Sequence, residues 1–169
     1  MAERRKMVDT IVDTITEHIH PFVPVPEKID LLVEKLLHDY LWTSDEYRNE
    51  TTVSRIVAHY VTALNARLYE YGDFDALLVI KGIIPGWKAD VTLKIINPKF
   101  WGKQAVREFR QFLDYAFREF NLKRISTSTA DSRMVAIARM GGFEEDGRYQ
   151  YGFKWDNNYY DDIYLSIVR

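Results

Sequence analysis

The stretch ADVTLKIINPKFWGKQAVREFRQFLDYAFREFNLKRISTST, residues 89–129, changes its apolar period twice, and those two changes decide the fold. Residues 89–96 (ADVTLKII) are β-branched and apolar and read as a strand, which Asn97-Pro98 ends. From about Trp101 the spacing becomes helical: Ala105, Phe109, Phe112, Leu113, Ala116, Phe117 and Phe120 fall on one face. Residues 122–129 then read as a second strand. A strand–helix–strand unit of this kind makes a right-handed crossover between parallel strands. Its helix starts at the carboxyl end of the first strand, where N–H groups and the helix dipole favour phosphate-bearing ligands.

Upstream, residues 74–84 (FDALLVIKGII) form another strand, closed by Pro85-Gly86. Three helical patterns precede it. The first carries Val8, Ile11, Val12, Ile15 and Ile19; the second carries Ile29, Leu32, Val33, Leu36, Leu37 and Tyr40. The third, from about Thr52, carries Val53, Ile56, Val57, Tyr60, Val61, Leu64 and Leu68 and should stop near Gly72. Residues 43–50 read as a loop between the second and third. Downstream come a short helix over residues 131–140, Gly141-Gly142 as its C-cap, and strands around 149–155 and 162–168. The expectation is one α/β (α+β) domain over residues 1–169, with residues 1–72 mainly helical and a mixed central sheet flanked by helices.

Composition narrows the function classes. Apolar residues make up 47% and aromatics 14%, enough for a proper core. With 23 basic and 25 acidic residues the net charge is −2, so no global field recruits nucleic acid or an anionic membrane. There are no cysteines, which removes disulfides, thiolate metal sites and thiol nucleophiles. His18, His20, His38 and His59 are scattered over the early segments without a carboxylate pair, so no metal is expected. No run of eighteen apolar residues would span a membrane, and no signal-peptide pattern follows the basic start; a soluble cytoplasmic protein is expected.

Three signatures, in this order, resemble the GNAT superfamily of N-acetyltransferases, especially its branch that includes ribosomal-protein N-acetyltransferases. They are Asn97-Pro-Lys-Phe-Trp-Gly-Lys103 running into the helix that exits as Tyr115-Ala-Phe…Arg124-Ile125; Asp131-Ser-Arg-Met-Val-Ala-Ile-Ala-Arg-Met-Gly-Gly-Phe143; and Asp146-Gly147 followed by residues 149–155, Asn158 and Asp161-Asp162. The resemblance covers the last 70 to 100 residues and implies a GNAT-like fold in which residues 73–169 form the acyl-CoA-binding half. It implies acetyl-CoA as co-substrate, with its pyrophosphate on the amides of Trp101, Gly102, Lys103, Gln104, Ala105 and Val106. Lys99, Lys103 and Arg107 would add charge there, and residues 92–96, with Ile95 and Ile96, would meet the pantetheine arm. Asp131 stands where the family has an Asn beside that arm, and Arg133 lies next to it.

In the family's phosphate-loop pattern, Gln104 stands at the central glycine, where a side chain is expected to crowd backbone approach, and Val106 at the small final residue. The position of the family's Tyr acid, five residues before Phe143, is Ala138. Candidate proton-transfer groups are therefore Asp90, Ser126 and Tyr149, with Tyr151, Tyr159 and Tyr160 in the same Tyr-rich tail. The implied activity is acetyl transfer to a primary amine of a protein or small molecule. The alternative is an inactive structural or interaction protein on the same fold, such as a phage virion-associated protein, whose helical leader and tail would meet a protein partner or further copies of the chain.

Overall fold

A computed structural model describes residues 15–38, 43–100 and 102–169. Val8, Ile11 and Val12 of the first predicted helix, Tyr40 and Trp101 lie outside the described residues. Seven strands form one sheet in the order β1-β2-β3-β4-β5-β7-β6. They are β1 (Ile19–Pro21), β2 (Arg67–Tyr71), β3 (Ala76–Ile84), β4 (Lys88–Ile95), β5 (Arg124–Thr129), β6 (Glu144–Trp155) and β7 (Asn158–Val168). The helices are α1 (Pro26–His38), α2 (Glu50–Thr62), α3 (Lys103–Glu119) and α4 (Ser132–Gly141). This is the mixed sheet flanked by helices that the sequence predicts, with β4–α3–β5 as the one parallel crossover among the described residues.

The two faces of the sheet bury two separate clusters. Under α3 and α4, Leu78, Ile80, Val91, Ile125 and Leu165 pack against Phe112, Leu113 and Val135. Under α1 and α2, Leu77, Val79 and Ile96 pack against Leu32, Leu36, Val53 and Val57. The α3 stripe holds as read: Ala105, Phe109, Phe112, Leu113, Ala116 and Phe117 are buried. Phe120 serves as the C-cap and packs at the margin of the core. Gly142, at φ 101°, closes α4 in the left-handed region, as the Gly-Gly pair predicts.

The early segment departs from its helical reading in two places. α2 ends at Thr62, Leu64 is 94% exposed, and residues 67–71 form β2 instead of a continued helix. Period-two alternation wins there: Tyr69 enters the α3 side of the core and Leu68 the α2 side, while the ladder to β3 satisfies the backbone. Residues 15–18 bend rather than coil, because the Thr16 hydroxyl accepts from the N–H groups of His18 and Ile19. Ile19 then starts edge strand β1 against Tyr71, and Pro21 sits on that edge, where a missing N–H is tolerated.

The closing hairpin is longer than its sequence reading. β6 and β7 meet at Asp156-Asn157, both at positive φ (47° and 59°), as a two-residue hairpin turn requires. The Asp45 carboxylate accepts from both turn amides at 3.1 Å, and those bonds, with Arg48, hold it below the ordinary carboxylate range. Arg48 also lies 3.7 Å from the centre of the Trp155 ring. The α1–α2 connection is thereby fastened to the hairpin tip.

Candidate functional site

β4 and β5 pair only at Lys88–Arg124, Ala89–Ile125 and Asp90–Ser126. Beyond that point each follows its other neighbour: β4 stays with β3 as far as Ile95 opposite Ala76, and β5 stays with β7 as far as Thr129 opposite Ile163. The sheet therefore parts between two parallel strands, and one edge of β4 has no strand beside it there. A cavity of ≈ 710 Å³ fills the gap and passes through the sheet. Phe109, Met134, Ile137 and Ala138 line it on the α3–α4 side; Lys35, Leu36, Ile56 and Tyr60 line it on the α1–α2 side. A volume of this size holds a small molecule and its reacting partner.

The start of α3 lies just after the end of β4. Gly102 is its N-cap, in extended conformation and with no side chain to offer the helix amides. The first ladder bond found among the described residues is Val106 N–H to Gly102 O at 3.3 Å, so the amides of Lys103, Gln104 and Ala105 precede it. A methyl group at Gly102 would have nothing within 4 Å beyond its chain neighbours, so the corner is open. Lys99, Lys103 and Arg107 are exposed around it, and Ala105 is buried behind it. Open amides, a helix dipole and three nearby cations suit a diphosphate.

The Gln104 side chain does not lie across this corner. Its amide donates to Glu108 Oε1 at 3.0 Å, one turn up the helix, and lies 3.3 Å from His18 Nδ1. Glu108 is buried, which alone would raise its carboxyl. The Thr16 hydroxyl at 2.7 Å, Gln104 and His18 at 2.9 Å overcome that and hold it below the usual range. The terminal amide of Gln104 is thus turned toward Glu108 and His18.

At the far end of β5, Asp131 caps α4 by accepting from the Arg133 N–H at 2.9 Å, and it also takes the Arg133 guanidinium, Nη2 lying at 2.6 Å. Burial raises the Asp131 carboxyl, but the Arg133 side chain and amide outweigh it, so the group stays ionised. Asp131, Arg133, Ile95 and Ile96 all line the cavity. Asp90, Ser126 and Tyr149 do not. Asp90 and Ser126 sit in the closed, paired part of the two strands, where the Ser126 hydroxyl accepts from Arg124 Nε at 3.1 Å. Tyr149 is 66% exposed on outer strand β6, opposite Asp162.

Two cavity residues carry chemistry to which the sequence reading gave no role of their own. Asp162, on β7, is half-buried; burial raises its carboxyl above the ordinary value even though the Ser128 and Tyr164 hydroxyls donate to it. Lys94, on β4, lies in the middle of the parted stretch. The signal for Asp162 is the alternation of the last strand, where Ile163, Leu165 and Ile167 face the core and Asp162, Tyr164 and Ser166 the other side. Among the described residues no group of three or more His, Asp or Glu side chains converges as metal ligands would.

Sheet order, the parted parallel pair and the crossover helix together define the GNAT fold. Solved structures agree over almost the whole chain. A probable acetyltransferase is 23% identical with a TM-score of 0.65, the match covering 92% of this chain and 95% of that one. The spermidine N-acetyltransferase of Vibrio cholerae, solved with CoA and spermine, is 18% identical with a TM-score of 0.70, over 90% of this chain and 96% of that one. A GNAT-family acetyltransferase from Bacillus anthracis is 15% identical with a TM-score of 0.66, over 90% and 95%. At these identities the likeness is one of fold. No protein-family model and no curated protein sequence matches the chain.

Proposed function

We propose that this chain is an N-acetyltransferase that moves the acetyl group of acetyl-CoA to a primary amine. The observation that carries this reading is the parting of β4 and β5, which puts a through-sheet cavity beside an open helix N-terminus. Acetyl-CoA would supply an activated thioester. The amides of Lys103, Gln104 and Ala105 would bind its diphosphate, with Lys99, Lys103 and Arg107 adding charge. The unpaired edge of β4, residues 91–95, with Ile96 just beyond it, would align the pantetheine arm and present backbone donors to the thioester oxygen. The Asp131–Arg133 pair would flank the arm at the mouth of the cavity. On the opposite face the amine would enter between α1–α2 and the hairpin, and Asp162 would take its proton. The crystal complex of the Vibrio cholerae enzyme with CoA and spermine supports a CoA-plus-amine chemistry for this architecture.

A second reading, an inactive member of the fold acting as a structural or virion-associated protein, is favoured by two observations. Ala138 lines the cavity where the resemblance implies a Tyr acid, and Tyr149, Tyr151, Tyr159 and Tyr164 are exposed on the closing hairpin, where partners or further copies could dock.

Release of free CoA thiol from acetyl-CoA in the presence of a panel of amines separates the two. The transferase reading expects amine-dependent release. It also expects Gly102→Ala to melt like the parent, because its methyl enters open space. The same methyl would crowd a bound diphosphate, weakening CoA binding by about 1–3 kcal/mol, or roughly five- to 150-fold in affinity. Amine-independent signal together with undiminished CoA affinity in Gly102→Ala would refute the transferase reading.

A further inference from the structure

Asp162 is held from three sides and open on the fourth. Ser128 on β5 lies directly opposite Tyr164 on β7, and residues paired in this way project to the same face of the sheet. Asp162 comes two residues before Tyr164, so it shares that face, and the Ser128 and Tyr164 hydroxyls both donate to its carboxylate. On its other flank β6 loses register with β7 between Tyr149 and Phe153, and Tyr151 stands at φ 55°. This bulge brings the Gly152 backbone against Asp162: a methyl there would lie 3.1 Å from Asp162 Cβ and 2.5 Å from the Tyr149 ring. The fourth side is the cavity, which Asp162, Ser128 and Gly152 line together. Tyr164 is 48% exposed and Ser128 is exposed too, so what these positions supply is a hydroxyl and not core packing.

Resting on the acetyl-transfer reading, we infer that Ser128 and Tyr164 are positioning residues: their hydroxyls hold the Asp162 carboxylate, in its charged form, at the cavity wall where the acceptor's proton leaves. A half-buried carboxylate without donors would keep its own proton and could take none from an ammonium group. Burial does push Asp162 up, and the two donors pull against it, Ser128 first. On the other side of the bond, the Asp162 charge, with burial, raises the Tyr164 hydroxyl, so Tyr164 keeps its proton and is the donor. The transferred proton moves from the acceptor nitrogen to a carboxylate oxygen, and both hydroxyls keep theirs. Tyr149 stands opposite Asp162 on β6, and Lys35, Glu46, Lys94, Asp131 and Arg133 are the other charged groups of the cavity, with Tyr47 and Tyr60 its tyrosines. All of these remain in place in the variants that test the two hydroxyls.

The direct test is an NMR titration of the Asp162 carboxyl carbon in the CoA-free protein, its signal assigned by its loss in Asp162→Asn. Losing a donor disfavours the charged form. Ser128→Ala and Tyr164→Phe are therefore each expected to raise the midpoint by about one pH unit, a tenfold change in proton affinity, and the double variant by more. Tyr149→Phe, which removes a hydroxyl but leaves both donors, is expected to leave the midpoint where it is. In acetyl transfer the acid limb of kcat/KM follows the midpoint upward in the same variants. Midpoints that stay put or fall in both single variants overturn the proposal, and so does an equal rise in Tyr149→Phe. An acid limb that stays put while kcat drops evenly at every pH also overturns it, since that is a loss of structure alone. If the midpoints rise but no amine is acetylated, the seat of Asp162 stands and acetyl transfer falls.

Discussion

On the proposed acetyl transfer, Asp162→Asn is expected to lower kcat by about 10²–10⁴-fold, the range for loss of a positioned general base, while the melting temperature stays close to that of the parent. An ammonium acceptor must lose a proton before nitrogen can attack a thioester. Of the cavity carboxylates, Asp131 is bound by Arg133 and Glu46 is held below the normal range, first by the Ser44 hydroxyl. Asp162 alone among these three is pushed upward, by burial, and so becomes a stronger base while remaining hydrogen-bonded by Ser128 and Tyr164. Because its folded value is raised, the acid limb of the kcat/KM profile lies above the ordinary carboxylate range, and activity falls as pH drops through it. That limb disappears in Asp162→Asn. A variant that keeps kcat within about threefold of the parent removes Asp162 from proton transfer.

Phe112→Ala costs about 3–5 kcal/mol of stability, a large share of the 5–15 kcal/mol typical of a domain. Phe112 is fully buried at the centre of the α3 stripe and meets Tyr69 edge-to-face with ring centroids 5.1 Å apart. Around it the fully buried Leu113, Ile80 and Ile125 leave little room for collapse into the vacated space. In denaturant titration the midpoint falls while the slope is preserved, since the folded surface is the same. The same helix carries the Lys103–Ala105 amides, so the loss should also appear as weakened CoA binding near the melting range. A loss below about 1 kcal/mol would mean that α3 is not the main prop of this face.

The β4–α3–β5 unit was legible because its apolar period changes sharply, from the mixed strand around Val91–Leu93 to the strict stripe of Phe109, Phe112, Leu113 and Ala116. β2 was hidden because Leu64 and Leu68 continue the helical spacing of Val57, Tyr60 and Val61. Only pairing to β3, a long-range contact, decides for the strand. β1 was hidden for the same reason, since its register with β2 spans fifty residues of chain (His20 opposite Glu70). The start of α3 just after β4 was legible from spacing, but not the fate of Gln104, whose tether depends on His18 and on a glutamate one turn later. Lys94 and Asp162 gave no local sign of a shared site: each is one charged residue in a strand, and they face a common cavity only because β4 and β5 part.

The most direct measurement is backbone amide NMR of the protein titrated with CoA. The largest shifts are expected at Gly102, Lys103, Gln104 and Ala105, with a second set along residues 92–96, and Gly102→Ala should need a higher CoA concentration to reach them. Absence of binding at about 1 mM CoA, a range weaker than any useful co-substrate affinity, would contradict the diphosphate corner. So would saturable binding whose shifts leave residues 102–105 untouched.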